Sequence, residues 1–123
     1  MARHNELGNE GEWEAMGLLA RKGYRLHHRN WRVGHLEIDI VAEWYGVYVF
    51  VEVKTRKNKD FSDPIEAVDE EKKRNIIAAA NAYMRYHNLD NGVRFDIITV
   101  IGEARPFEVK HYRNAFVPRE HHV

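Results

Sequence analysis

The segment Val47–Lys54 constrains the fold more than any other part of the 123-residue chain. Successive side chains of a β-strand point to opposite faces of the sheet. One face of this segment would carry only valines, and the other would carry two aromatic rings before Glu52 and Lys54. A strand that is apolar on both faces is typical of the covered centre of a sheet. The sequence therefore predicts a central strand that ends in two charged residues.

A second charged strand is expected just before this one. The tetrapeptide Trp44–Val47 separates two strand-like runs, and its glycine can adopt a positive φ angle. A loop of two residues, or of four residues symmetric about them, pairs the two ends of the tetrapeptide with each other. That register sets Asp39 opposite Glu52 and Glu37 opposite Lys54. Both pairs would then lie on the same side of the sheet.

Facing carboxylates at the end of a covered strand need a counter-charge. Two unit charges about 4 Å apart repel by roughly 4 kcal/mol at an effective dielectric constant near 20. Such a pair must protonate one member or hold a cation, and a divalent ion with oxygen ligands, Mg²⁺ or Mn²⁺, is the natural candidate. The alternative is a solvated hairpin face with a weak ion pair between Glu37 and Lys54. This alternative stays open because the register is inferred.

A fourth carboxylate belongs to the first predicted helix. The segment that starts at Gly8 leads into an apolar run, and Gly23 can cap its end. At 100° per residue, the centre of the apolar stripe nearly coincides with Glu12, whereas Glu10 and Glu14 fall on the opposite side. Glu12 is therefore predicted to point into the domain. It would alternatively cap its own helix or pair with an arginine from elsewhere.

The remaining pattern indicates an α/β fold. A long helix is predicted to begin at Pro64 or at Asp69 and to end at Tyr86. A buried strand follows over residues 95–101, and an edge-like strand over residues 107–112. With the first helix and three preceding strands, the predicted order is αβββαββ. We expect a mixed five-stranded sheet flanked by helices.

Length and composition are consistent with one domain. Residues 1–123 contain no repeat, linker or low-complexity segment, so we expect a single domain with an ordered core over about residues 5–117. The chain has no cysteine and no apolar run of transmembrane length. A soluble, cytoplasmic protein without a membrane partner is therefore expected. No nucleophile elbow, phosphate-binding glycine loop or dinucleotide fingerprint occurs, which leaves acyl transfer and nucleotide chemistry without support.

Basic residues are clustered although the formal net charge is zero. The zero charge argues against nonspecific coating of nucleic acid. Arg56, Lys57 and Lys59 follow the candidate site directly, and Lys72 and Lys73 open the second helix. These clusters could hold phosphate groups near the carboxylates. The alternative is a solvated loop and helix start, with acidic neighbours neutralising the second cluster locally.

Several short motifs identify a family. In chain order they are Gly8-x-x-Gly11-Glu12, Arg29-Asn30, Glu37-Ile38-Asp39, Phe50-Val51-Glu52-Val53-Lys54-Thr55-Arg56, Pro64-x-Glu66-Ala67-Val68 and Arg94-Phe95-Asp96. Together they resemble the YraN-like family of uncharacterised bacterial proteins over about residues 5–117. The order of Glu12, Asp39, Glu52 and Lys54 is similar to the PD-(D/E)xK signature of the restriction-endonuclease-like superfamily. Archaeal Holliday junction resolvases are the members it resembles most.

The resemblance implies a metal-dependent endonuclease acting on DNA. Asp39, Glu52 and the carbonyl of Val53 would bind Mg²⁺ or Mn²⁺, and Glu12 would act through water or a second cation. Lys54 would orient or deprotonate the attacking water. The resolvase likeness implies branched or deformed DNA as substrate and, by analogy alone, a homodimer.

Two residues of the motifs have less defined roles, and two other functions stay open. Glu37 would be an outer ligand of the metal or the partner of Lys54, and Asp96 is interpreted as structural because no partner is evident. The first alternative function is a nucleic-acid-binding module on a nuclease scaffold with little or no turnover. The second is a structural interaction protein whose carboxylates simply bind a cation.

Overall fold

The computed structural model describes residues 3–58 and 68–118, with side chains described from residue 9 onward. The predicted element order αβββαββ is confirmed. The elements are α1 (Arg3–Arg21), β1 (Arg25–Val33), β2 (Leu36–Trp44), β3 (Val47–Arg56), α2 (Glu70–Tyr86), β4 (Val93–Ile101) and β5 (Glu108–Phe116).

The five strands form one sheet in the order β1-β2-β3-β4-β5. The β3–β4 pair is parallel and the other three pairs are antiparallel, so the sheet is mixed as predicted. Parallel neighbours require a crossover connection, and α2 lies in that connection. The strand β3 is central, and β5 is an edge strand that extends beyond its predicted end.

The two helices cover opposite faces of the sheet. On one face, Ala15 and Leu19 of α1 pack with a cluster that includes Val49 and Val51 of β3. On the other face, α2 packs with a cluster that includes Phe50. This double coverage explains why β3 is apolar on both faces.

The turn between β2 and β3 has the predicted register. Trp44 pairs with Val47, and the two residues between them have φ angles of 50° and 80°. Two positive φ angles are typical of the hairpin turn whose twist matches that of the strands. The ladder then continues as far as the pair of Ile40 and Val51.

Both helices have the predicted boundary signals. The carboxylate of Asp69 accepts a hydrogen bond of 2.8 Å from the backbone N–H of Lys72, which confirms Asp69 as the residue that caps α2. The alternative start at Pro64 lies outside the described residues. Gly23 follows α1 with a φ angle of 91°, as expected of a helix C-cap. Among the described residues, the helices lack the length and apolar character that a bilayer-spanning segment needs.

Candidate active site

The strand β2 is no longer paired with β3 at Asp39. The ladder with β3 ends at the pair of Ile40 and Val51. Ile38 packs in the α2 cluster and Ile40 in the α1 cluster, although residues two apart in a regular strand share a face. The Asp39 carboxylate accepts a hydrogen bond of 2.8 Å from the backbone N–H of Val53. The Asp39 side chain thus accepts a hydrogen bond from a backbone N–H of β3, and this bond fixes its carboxylate at the end of the central strand.

Asp39 and Glu52 lie against each other, as the hairpin register predicts. Glu52 is 5% exposed and Asp39 is half-buried. Burial, together with the charge and hydrogen-bonding contact of Glu52, raises the pKa of Asp39 to about 8, although the N–H of Val53 acts in the opposite direction. The pair therefore retains a proton near neutral pH when no cation is bound.

Two lysines flank the Glu52 carboxylate. Its Oε2 atom lies 3.7 Å from the Nζ atom of Lys54 and 3.8 Å from that of Lys72. Lys54 is on the same strand, whereas Lys72 comes from the first turn of α2, which the Asp69 cap orients. The site thus combines two carboxylates with two ammonium groups. The contact of Lys72 with Glu52 has no signal in the sequence, because it depends on where α2 begins relative to the sheet.

Glu12 is held beside this pair by residues of β1. Its Oε1 atom accepts hydrogen bonds of 3.0 Å from Nε of Arg29 and 3.2 Å from Nδ2 of Asn30. Asn30 has a φ angle of 53°, a conformation that asparagine tolerates better than most residues. Glu12 is near enough to contribute to the raised pKa of Asp39. The pairing with an arginine is therefore observed, and the Arg29-Asn30 motif was the available signal for it.

Gly11 brings α1 close to the end of β3. A Cβ atom at this position would lie 2.2 Å from Oγ1 of Thr55, far inside van der Waals contact. Thr55 directly follows Lys54, so the close approach is beside the site. The glycine before Glu12 thus sets the distance between the helix and the carboxylate pair.

The predicted ion pair between Glu37 and Lys54 is not formed, because Lys54 pairs with Glu52 instead. The Glu37 carboxylate forms an ion pair of 2.6 Å with Arg32 across the β1–β2 ladder. With Arg32, His35 and Lys72, Glu37 lines a cleft of about 340 Å³. Because Lys72 also contacts Glu52, the cleft adjoins the carboxylate pair.

The other basic residues predicted to bind phosphate have different environments. Lys57 is exposed just after β3, and Arg56 is partly buried and donates to the carbonyl of its neighbour Thr55. Lys73 lies 3.4 Å from Glu70 of its own helix. Lys59 lies outside the described residues. Lys72 is therefore the predicted phosphate ligand that the structure brings into contact with the carboxylates.

A complete ring of metal ligands is not preformed. Within residues 9–58 and 68–118, no three acidic or histidine side chains are arranged to hold one ion. Glu12 instead accepts hydrogen bonds from Arg29 and Asn30. The Asp39–Glu52 pair nevertheless has the chemistry of a divalent-cation site, because both are oxygen donors, and burial together with their mutual repulsion raises the pKa of Asp39.

Asp96 has partners that the sequence did not reveal. It is fully buried and accepts hydrogen bonds from Arg94, from Nε2 of His111 at 2.6 Å and from the N–H of Asn114. Burial would raise the pKa of Asp96, but these bonds outweigh it and hold the pKa below its ordinary value. The partners come from β4 and β5, which supports the structural interpretation of Asp96.

The fold and the site define an α/β protein with a carboxylate pair and a lysine at the end of its central strand. Residues 11–100 match the family described as "Uncharacterised protein family UPF0102". The chain is 52% identical over 118 residues to a UPF0102 protein of Phocaeicola vulgatus, which covers 96% of this chain and 98% of the relative. It is 40% identical over 116 residues to a UPF0102 protein of Flavobacterium psychrophilum, covering 94% and 98%. The chain therefore belongs to the UPF0102 family, which confirms the YraN-like resemblance at family level.

Proposed function

We propose that this protein is a metal-dependent endonuclease of the restriction-endonuclease-like superfamily that hydrolyses phosphodiester bonds in DNA, with branched or otherwise deformed DNA as substrate. The observation that carries the proposal is the adjacent pair of Asp39 and Glu52, with Lys54 beside it, at the end of the covered strand β3. Retaining two such carboxylates in contact costs stability, which is typical of a functional site.

The donor set suits Mg²⁺ or Mn²⁺. Asp39, Glu52 and the carbonyl of Val53 would hold the ion. When bound, it would polarise a phosphoryl oxygen and make water a better nucleophile. The hydrogen bond from the N–H of Val53 keeps the Asp39 carboxylate oriented toward Glu52. Cation binding would also remove the repulsion that raises the pKa of Asp39.

The charged side chains around the pair have separate tasks. Lys54, whose Nζ atom is 3.7 Å from Glu52, would orient or deprotonate the attacking water and offset negative charge on the phosphorus centre. Glu12 would position water from the side of α1. Lys72 and the exposed Lys57 would bind the phosphates that flank the cleaved bond. By analogy with resolvases, a homodimer would present two such sites.

One observation favours a second function, a nucleic-acid-binding module with little or no turnover. Glu12 is neutralised by Arg29 rather than directed at the Asp39–Glu52 pair. A site in which Glu12 stays bound to Arg29 has two carboxylates for a metal instead of three. Such a site would bind nucleic acid without efficient hydrolysis.

Incubation with linear, flap and four-way DNA in the presence of Mg²⁺ tests the proposal. We expect cleavage by the native chain and its loss in Asp39→Asn, Glu52→Gln and Lys54→Met. The matched control is Glu37→Gln, because Glu37 is an acidic neighbour on β2 that pairs with Arg32 instead. Binding without cleavage would support the module. If the native chain neither binds nor cleaves DNA, the result would support a cation-binding structural protein and refute both functions on nucleic acid.

A further inference from the structure

Trp13 is exposed, in contrast to the other two tryptophans. Its side chain is 57% exposed on α1. Trp44, at the hairpin tip, stacks on Tyr24 with the ring centroids 5.6 Å apart. Trp31 packs edge-on against Tyr83 of α2 at 5.1 Å. Packing on aromatic rings therefore accounts for Trp31 and Trp44, and it leaves the face of the Trp13 indole that Arg29 does not cover available to a partner.

Arg29 connects the indole of Trp13 to the candidate active site. The guanidinium carbon of Arg29 lies 5.1 Å from the centroid of the Trp13 ring, and its Nε atom lies 3.0 Å from the Glu12 carboxylate. The charge of Glu12 in turn contributes to the raised pKa of Asp39. One guanidinium group thus contacts both the exposed ring and a carboxylate of the site. The indole is therefore linked to the site through Arg29 and Glu12.

An exposed aromatic ring beside a guanidinium group is suited to an unpaired nucleobase. Every base has a flat face that stacks on an indole, and an adjacent cation can hold the phosphate that follows it. Bases inside a duplex are stacked on each other, so they can reach such a ring only after they leave the stack. A ring of this kind beside a nuclease site therefore distinguishes DNA with unpaired nucleotides from continuous duplex.

We propose that Trp13 and Arg29 form a stacking platform for an unpaired DNA base next to the Asp39–Glu52 site, so that the substrate class is DNA with unpaired nucleotides at a branch or an end. This inference rests on the proposed function, because it takes DNA as the substrate. It goes further by assigning a residue outside the carboxylate site to substrate choice.

Binding of a fluorescent oligothymidylate, followed by anisotropy in EDTA to prevent cleavage, tests the platform. We expect Trp13→Ala to weaken this binding by about 5-fold to 150-fold, which corresponds to one stacked base, and Trp13→Phe to retain most of the affinity. The matched control is Tyr86→Ala, since Tyr86 is 80% exposed at the far end of α2. The affinity of Tyr86→Ala for the oligothymidylate should stay within about twofold of that of the native chain. The same limit should hold for the affinity of Trp13→Ala for a blunt duplex.

Three results would overturn the inference. The first is equal oligothymidylate affinity of Trp13→Ala and the native chain. The second is an equal loss of affinity for single strand and duplex. The third is a change from dimer to monomer in the sedimentation of Trp13→Ala, which would assign the ring to a contact between copies of the chain.

The inference and the proposed function can fail separately. If the native chain cleaves branched DNA and Trp13→Ala still binds oligothymidylate normally, the platform is refuted and the endonuclease stands. If single-strand binding depends on Trp13 but DNA with Mg²⁺ stays intact, the platform is supported and the hydrolytic function is refuted.

Discussion

Replacing Asp39 with asparagine should stabilise the metal-free protein, and the gain should increase with pH. Asparagine has the shape of a protonated aspartic acid. Its Oδ1 atom can accept the hydrogen bond from the N–H of Val53, and its amide can donate to Glu52. The substitution therefore keeps the local contacts and removes the ionisation that Glu52 opposes.

The magnitude follows from the shift of the Asp39 pKa from 3.8 to about 8, or roughly four units. Each unit corresponds to about 1.4 kcal/mol, which gives an upper limit of about 6 kcal/mol. Side-chain relaxation and water at the half-buried pair reduce this to about 2–3 kcal/mol. Between about pH 4 and 8, Asp39 is deprotonated in the unfolded chain and protonated in the native state. Native stability of the wild type therefore falls as pH rises through this range, by at most about 1.4 kcal/mol per unit, and is constant above it.

Urea unfolding in EDTA at intervals between about pH 5 and 8 measures this difference. With each increase in pH, the free energy of unfolding of Asp39→Asn should exceed that of the wild type by a larger amount. The control is Asp90→Asn, which removes one acidic charge at an exposed aspartate and should show no such trend. A difference between Asp39→Asn and the wild type that does not vary with pH would refute the raised pKa of Asp39.

Two further substitutions test the framework around the site by urea unfolding. Gly11→Ala should lose about 1–3 kcal/mol of stability, because the new Cβ atom would lie 2.2 Å from Oγ1 of Thr55. Gly17→Ala, in the same helix but beside a flexible arginine side chain, should be neutral or gain up to about 1 kcal/mol, and equal effects of the two would contradict the close-approach argument. Asp96→Ala should lose about 3–5 kcal/mol, because the guanidinium of Arg94 would lose its buried carboxylate. A loss below about 1 kcal/mol would show that the buried network is not required for the fold.

The sequence predicts those features that depend on local pattern. The alternation in Val47–Lys54 places β3 in the centre of the sheet because side chains on both faces need cover. The glycine of the tight turn sets the hairpin register, and that register brings Asp39 toward Glu52. The 100° periodicity of α1 correctly turns Glu12 toward the sheet and leaves Glu10 exposed, but Glu14 is partly buried and pairs with Arg105.

The features that could not be predicted depend on contacts between distant segments. The ladder between β2 and β3 ends at Ile40 and Val51, and beyond it the side chain of Asp39, and not a backbone carbonyl, binds the N–H of Val53. Which arginine pairs with Glu12 depends on how α1 lies over β1. Two partners of Asp96, His111 and Asn114, lie 15 and 18 residues away in the sequence, although Arg94 is only two residues before it.

Titration calorimetry with Mn²⁺ tests most directly whether the carboxylate pair is a divalent-metal site. We predict saturable binding near pH 7 with release of up to one proton per ion, because the ion displaces the proton that the raised pKa of Asp39 retains. The proton release appears as a dependence of the measured heat on the ionisation enthalpy of the buffer. Glu52→Gln should weaken binding at least about tenfold, and Glu37→Gln should not change it. Absence of saturable binding, or equal affinity in Glu52→Gln and the native chain, would contradict the metal site.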